Sequence, residues 1–177
     1  MNIIDRIKNS FYQSVLRQRG QPRPKRTVTN LNDAHQIGII YHSSEPGHDK
    51  AIATFAGVLR DKGKTVDIMA YVNDKKVDHI GGIAVFNPKA VNWYGVPVDE
   101  RVSAFCLKPF DLLICAVLGE NKPLEYISYM SKARYRVGPF DEGKTKFYDL
   151  MIQMGDKKNL DYLLQQMVSF LEKIKYD

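Results

Sequence analysis

The sequence predicts a single α/β domain: a Rossmann-like, doubly wound, mostly parallel sheet with helices on both faces, preceded by an N-terminal amphipathic basic helix. Three observations carry this. Short apolar runs alternate with helical patterns from residue 36 onward. The runs are nearly continuous, as in Phe110-Asp-Leu-Leu-Ile-Cys-Ala-Val-Leu118, which suits strands covered on both faces. Positive charge is segregated: residues 1–26 hold seven basic side chains against one acid, Asp5, and the remainder holds 19 of each. The whole net charge of +6 therefore sits in the first 26 residues. A length of 177 residues fits one domain, and 44% hydrophobic residues suffice for an ordinary core.

Residues 2–18 read as a helix, because Ile3, Ile7, Phe11 and Val15 recur every four residues with Ile4 beside them. Gly20 ends it, and Pro22 and Pro24 keep the next stretch extended. The domain boundary is placed near residue 27. Gln36–Tyr41 reads as a buried strand, 46–62 as a helix stopped by Gly63, and Thr65–Tyr71 as a second strand. Ile80–Phe86 is expected as a third strand and Val98–Leu107 as a short helix. Phe110–Leu118 is the expected central strand, followed by a helix over Leu124–Ala133 and a short strand over Tyr135–Val137. Tyr148–Met154 fits both periods, and its short length between polar turns favours a strand. Residues 158–175 form the last helix, with Leu160, Leu163, Leu164, Met167, Leu171 and Ile174 facing inward.

No apolar run is long enough to span a membrane, and Asp5, Arg6 and Lys8 interrupt any signal-peptide core. Cys106 and Cys115 lie in apolar surroundings and suit a reducing cytoplasm better than a disulfide framework. No cofactor motif is read.

From Phe110-Asp-Leu-Leu-Ile through Leu124-Glu-Tyr-Ile-Ser-Tyr-Met-Ser-Lys-Ala-Arg-Tyr-Arg-Val-Gly138, the chain resembles a small bacterial family of unknown function. Asn92-Trp93-Tyr94-Gly95 and Tyr148-Asp-Leu-Met-Ile152 fit the same family, over roughly residues 27–170. The Ser-Lys-Ala-Arg-x-x-Val-Gly pattern is also similar to the N-terminal half of the heptosyltransferases that build lipopolysaccharide. That likeness implies a Rossmann-like half-domain without the second domain that mainly holds their nucleotide-sugar. It does not imply their activity. Their catalytic acid follows the first strand, where this chain reads Tyr41-His42-Ser43-Ser44-Glu45.

Several segments invite a functional reading. Gly138-Pro-Phe-Asp-Glu-Gly143-Lys144-Thr145 fits the phosphate-loop pattern by letter. Asp141 and Glu142 would repel a triphosphate, and a strand is expected to follow, so a charged surface loop is the reading, with Lys144 and Lys146 as a generic basic spot. The turn His42-Ser-Ser-Glu-Pro-Gly-His-Asp49 lies where ligands sit in doubly wound sheets. Ser43 and Ser44 suit helix capping, and Pro46 a first helical turn. An anion could use the free amides there. His42, Glu45, His48 and Asp49 match no specific metal spacing. Glu120 and Asn121, after the central strand, are expected near this turn, where Glu120 would serve as acid or base in a closed pocket. Trp93 and Tyr94 would either stack a ring ligand or seal the sheet edge.

The arm is the most informative feature, because its apolar stripe needs a cover. It can pack on its own domain, dock on RNA, or lie on a membrane. The stripe is short for a membrane surface and contains no Trp. The leading expectation is a non-catalytic adaptor held to RNA or a ribonucleoprotein, the ribosome included, by Arg6, Lys8, Arg17, Arg19, Arg23, Lys25 and Arg26. The alternatives are a small nucleotide- or sugar-phosphate-binding protein or enzyme using Ser43, Ser44, His48, Glu120 and Asn121, and a peripheral membrane factor.

Overall fold

The computed structural model describes residues 2–19, 25–156 and 159–175. Among them, seven strands form one sheet: β1 (Gln36–Ser43), β2 (Thr65–Val72), β3 (His79–Ile80), β4 (Ile83–Phe86), β5 (Leu112–Ala116), β6 (Tyr135–Pro139) and β7 (Leu150–Ile152). Their order is β3-β4-β2-β1-β5-β6-β7, and every pairing is parallel except β3 with β4. Counting the parallel strands alone in chain order gives 3-2-1-4-5-6, the Rossmann order. The expected doubly wound sheet is therefore present, with an antiparallel edge strand added. The chain reverses its direction of travel across the sheet between β1 and β5.

Five helices cover the sheet: α1 (Ile3–Arg19), α2 (His48–Asp61), α3 (Glu100–Leu107), α4 (Lys122–Met130) and α5 (Leu160–Lys173). Successive strand residues point to opposite faces. Ile37, Ile39 and Tyr41 of β1 join Leu112 and Ile114 of β5 in a core layer with α2 and α5. Ile40, Leu113 and Cys115 join the other layer, with α1, α3 and α4. On that second face Gly38 lets the Phe110 ring lie against β1, since a Cβ there would fall 2.8 Å from the ring.

Three elements differ from their sequence reading. The single strand expected over Ile80–Phe86 is a tight hairpin, because Gly81 takes a positive φ of 53° and folds β3 back on β4. The strand expected at the centre, β5, stands one place off it, and β1 is central. Helix α2 begins at His48 and is capped by Gly47, not by Ser43 or Ser44, because β1 runs on through Ser43. Helix α1 is present as expected, and its buried side chains are Tyr12 and Leu16. The apolar stripe, for which cover by the domain itself, RNA or a membrane was left open, is mostly uncovered: Ile3 is 70% exposed, Ile4 55%, Ile7 47% and Phe11 50%, and only Val15 packs against the core. The Tyr12 hydroxyl donates to the Lys122 carbonyl at 2.9 Å, and Lys146 donates to Gln13 at 2.6 Å, fixing α1 across α4 with that stripe turned sideways.

Candidate functional site

A cleft of about 480 Å³ opens at the carboxyl ends of the strands, where the sheet reverses between β1 and β5. His42 enters it from the end of β1, and Tyr71 and Asn73 from the end of β2. Glu120 to Pro123 close the side at the start of α4, and Lys8 reaches it from α1.

The remaining wall is the turn Asn92–Val96. The Asn92 side-chain oxygen accepts from the backbone N–H groups of Tyr94 and Val96, and the Asn92 backbone N–H donates to the Val96 carbonyl at 2.9 Å. Gly95 takes φ +97° there, and a Cβ would meet that of Lys122 at 3.1 Å. The turn is thus pinned against α4 and presents Trp93 and Tyr94 as a rigid pair, 5.2 Å apart and nearly perpendicular. Phe11 of α1 completes an aromatic group, 5.2 Å from Trp93 and 5.9 Å from Tyr94. Trp93 keeps 57% of its surface exposed.

The His42 ring stands 5.5 Å from the Tyr71 ring. Its Nε2 is buried and has no hydrogen-bond partner among the described residues. Burial, and then the nearby His48, hold its pKa below the ordinary histidine value, favouring the neutral ring.

The expected ligand residues separate between two faces. Glu120 and Asn121 line the cleft beside His42. Glu120 is exposed at the rim, and the Asn121 side chain caps α4 through the Leu124 amide at 3.1 Å. Ser43, Ser44 and His48 do not line it, because the residue after His42 points to the opposite face and α2 packs there. His48 turns back instead, with Nδ1 3.1 Å from the His42 carbonyl and Nε2 3.6 Å from Glu45. Asp49 accepts the Tyr41 hydroxyl at 2.7 Å. No three His, Cys, Asp or Glu among the described residues are placed to hold a metal ion.

The phosphate-loop pattern has an internal purpose. Gly138 lies within β6 under the Tyr148 ring, and a 3-10 turn, not an α-helix, spans Glu142–Lys144. Lys144 is buried rather than part of a basic surface spot. It donates to the Gly119 carbonyl at 2.7 Å and pairs with buried Glu125 at 3.1 Å. A larger groove, about 800 Å³, runs between α2 and α5 on the other face, with Phe55, Val58, Leu164 and Val168 along it.

The arm's basic residues have different fates. Arg6, Arg17, Arg19 and Lys25 are exposed. Lys8 lines the cleft, and Arg26 pairs with Asp149 at 3.0 Å. Arg23 lies outside the described residues, as do Gly20, Pro22 and Pro24.

A family model matches the chain from residue 8 to residue 174. The chain belongs to DUF6913, a family of unknown function. The DUF6913 match takes in all seven strands and α1 from Lys8 onward, so the part of α1 that carries Phe11, Tyr12 and Leu16 falls inside the matched unit. No curated protein and no solved structure matches the chain.

Residues of the cleft were only partly visible to sequence reasoning. Trp93 and Tyr94 stood out as unusual loop aromatics. Tyr71, Asn73 and Lys122 did not, because each ends or begins an ordinary element and only the sheet order brings them together.

Proposed function

We propose that the protein is a peripheral binding protein that attaches to an anionic membrane surface through α1. The observation that supports this is the exposed row Ile3, Ile4, Ile7, Phe11 and Trp93, set in the segment that carries all of the net charge. Positions three, four and seven apart lie on one side of a helix, so the four α1 residues form one strip. Trp93 lies beside its Phe11 end and supplies the interfacial aromatic that the helix lacks by itself. Arg6 and Lys8 flank the strip, and Arg17, Arg19 and Lys25 follow. An apolar strip edged by cations is the pattern of a helix lying in a headgroup layer. Each cation near an anionic surface contributes about 1 kcal/mol. Among the described residues no helix is long and apolar enough to cross a membrane, which leaves attachment at the surface as the form membrane contact through a helix would take.

Flotation with vesicles tests this. The intact chain should float with phosphatidylcholine vesicles containing phosphatidylglycerol, float poorly with phosphatidylcholine alone, and lose flotation when Ile4 and Ile7 become Ser. Sedimentation without the anionic vesicles at low salt would refute the reading.

A second reading keeps the expectation of RNA or a ribonucleoprotein as partner. It is favoured by the exposed Arg17, Arg19 and Lys25 and by an exposed aromatic group whose rings can stack a base. It predicts co-sedimentation with ribosomal particles or RNA. Release should follow loss of residues 1–26 or added salt. For five phosphate contacts, affinity should fall on the order of a few hundred-fold between about 50 and 200 mM salt. It also predicts that Ile4→Ser and Ile7→Ser change nothing, since aliphatic side chains take no part in phosphate contact.

A further inference from the structure

We infer that the cleft between β1 and β5 is a binding site for a small molecule made of a flat-faced ring and a phosphate. The cleft shares Lys8 and Trp93 with the attachment surface proposed above, and its test uses the free chain, without vesicles or RNA, so the two readings fail separately. In an open α/β sheet, the crevice beyond the carboxyl ends is deepest where the strand order reverses, because the flanking connections leave to opposite faces there. The cleft lies at that crossing, and its volume of about 480 Å³ is within the range of small-ligand sites.

The chemistry of the lining selects the ligand. The Trp93–Tyr94 pair is held rigid by the Asn92 hydrogen bonds and the Gly95–Lys122 contact, so a ring stacking there pays little ordering entropy. Lys8 and Lys122 bring two positive charges against one negative charge, on Glu120. That balance favours an anion and leaves Glu120 as an acceptor for a hydroxyl or amine of the ring. The Lys122 ammonium stands 5.9 Å above the Tyr12 ring, on the side where α1 supplies Lys8. His42 adds the polar group that most needs a partner, since its buried Nε2 meets none among the described residues. The amides at the start of α4 are not the anchor: Asn121 caps Leu124, Glu125 accepts from Asn121, and Pro123 has no N–H. The turn into α2 lacks a glycine-rich sequence, so a pyrophosphate-bridged dinucleotide is not the ligand expected. The phosphate is held by side-chain cations instead. The shared chemistry of ring and phosphate belongs to nucleoside monophosphates and to hexose phosphates, and the experiment separates them.

Trp93 is the only tryptophan in the chain. Its indole N–H therefore gives one resonance that reports on the cleft without assignment of the rest of the spectrum. The intact chain is titrated at low salt with adenosine 5′-monophosphate, glucose 6-phosphate and inorganic phosphate. The expected result is a saturable shift of the indole resonance with one of the two ring phosphates and none with inorganic phosphate alone. Lys8→Met and Lys122→Met keep the aliphatic stems and remove the charges, and each should weaken that binding at least tenfold. His42→Phe should weaken it while leaving the urea midpoint near neutral pH close to that of the parent. The inference is overturned if neither ring phosphate moves the resonance at millimolar concentration. It is equally overturned if inorganic phosphate does as well as the ring compounds, or if the two methionine variants bind as the parent does.

Discussion

Arg136 and Asp149 form the most enclosed ion pair among the described residues, with side chains only 2% and 4% exposed. The guanidinium holds both carboxylate oxygens, at 2.8 and 3.0 Å, and gives its remaining reach to the Ser128 carbonyl at 3.1 Å. Arg136 lies in β6, within the span that the family model matches. Its role there is to bind β6 to the start of β7 and to α4. A buried pair adds little net stability when formed but is costly to break, because one charge stays behind without its partner. Asp149→Asn should therefore lower stability by about 3–5 kcal/mol in urea titration. Arg26→Gln removes only the exposed third member and should cost less than about 1 kcal/mol. Equal losses from the two would show that the buried pair is not the element that matters. His42 gives a prediction in pH. Its folded pKa lies below the ordinary value of 6.5, so as pH falls the unfolded chain takes up its proton first. Between the two pKa values the unfolded state binds more protons, and stability falls as the solution is acidified, levelling off below the folded value. The difference in urea midpoint between the parent and His42→Phe should shift in favour of the variant on going from pH 7 to pH 5. A difference constant with pH would mean that the ring is freely protonated.

At the scale of the element, α1 shows that an apolar pattern by itself does not say which side of a helix packs. Ile3, Ile7, Phe11 and Val15 repeat at helical spacing, yet Tyr12 and Leu16 are the residues fully buried, and only Val15 of the four packs beside them. Tyr12 was hard to identify as the anchor because its worth depends on a distant acceptor, the Lys122 carbonyl, 110 positions away in the chain. The strands were legible for the opposite reason. A run such as Ile114-Cys115-Ala116 is apolar on both sides because helices cover both sides, and no partner need be known to see it. Turn chemistry was less legible. Gly81 folding β3 onto β4 and Gly47 capping α2 each need a positive φ that the sequence permits but does not require. The cleft was half legible: Glu120 and Asn121 were expected beside the end of β1 and are there, while strand alternation turns Ser43 to the other face and Ser44 follows the end of β1 outside the cleft lining. Substitution on the two sides of α1 tests the assignment directly. Leu16→Ala should cost about 2–5 kcal/mol as a cavity in the core. Ile7→Ala should stay within about 0.5 kcal/mol, as an exposed position does. Comparable losses from both would mean that the apolar stripe is covered in solution, by a second copy of the chain or by a shifted helix. The connection between β6 and β7 offers a second test. Gly138→Ala would place a Cβ 2.6 Å from the Tyr148 ring and should destabilise by about 1–3 kcal/mol by overpacking, with no phosphate involved.

For the molecule as a whole, the segregation of charge and the packing of α1 bear on one experiment. Residues 27–177 carry 19 basic and 19 acidic side chains, so a chain cut to that span is electrically neutral near pH 7. Cutting there also removes Tyr12 and Leu16 from the core layer they share with Phe86, Val96 and Leu124. Neutrality removes the repulsion that keeps molecules apart, and the uncovered layer gives them something to stick by. Both effects act in one direction. The shortened chain should unfold at a lower urea midpoint, having lost at least about 2 kcal/mol with the Leu16 packing alone. It should also scatter light near pH 7 and clear when the pH is moved well to either side. The family match, which begins at residue 8, agrees with a helix that is part of the folded unit. A shortened chain with the parent's midpoint and no self-association would mean that α1 is only laid on a domain already complete, and that its charge and its exposed strip serve attachment alone.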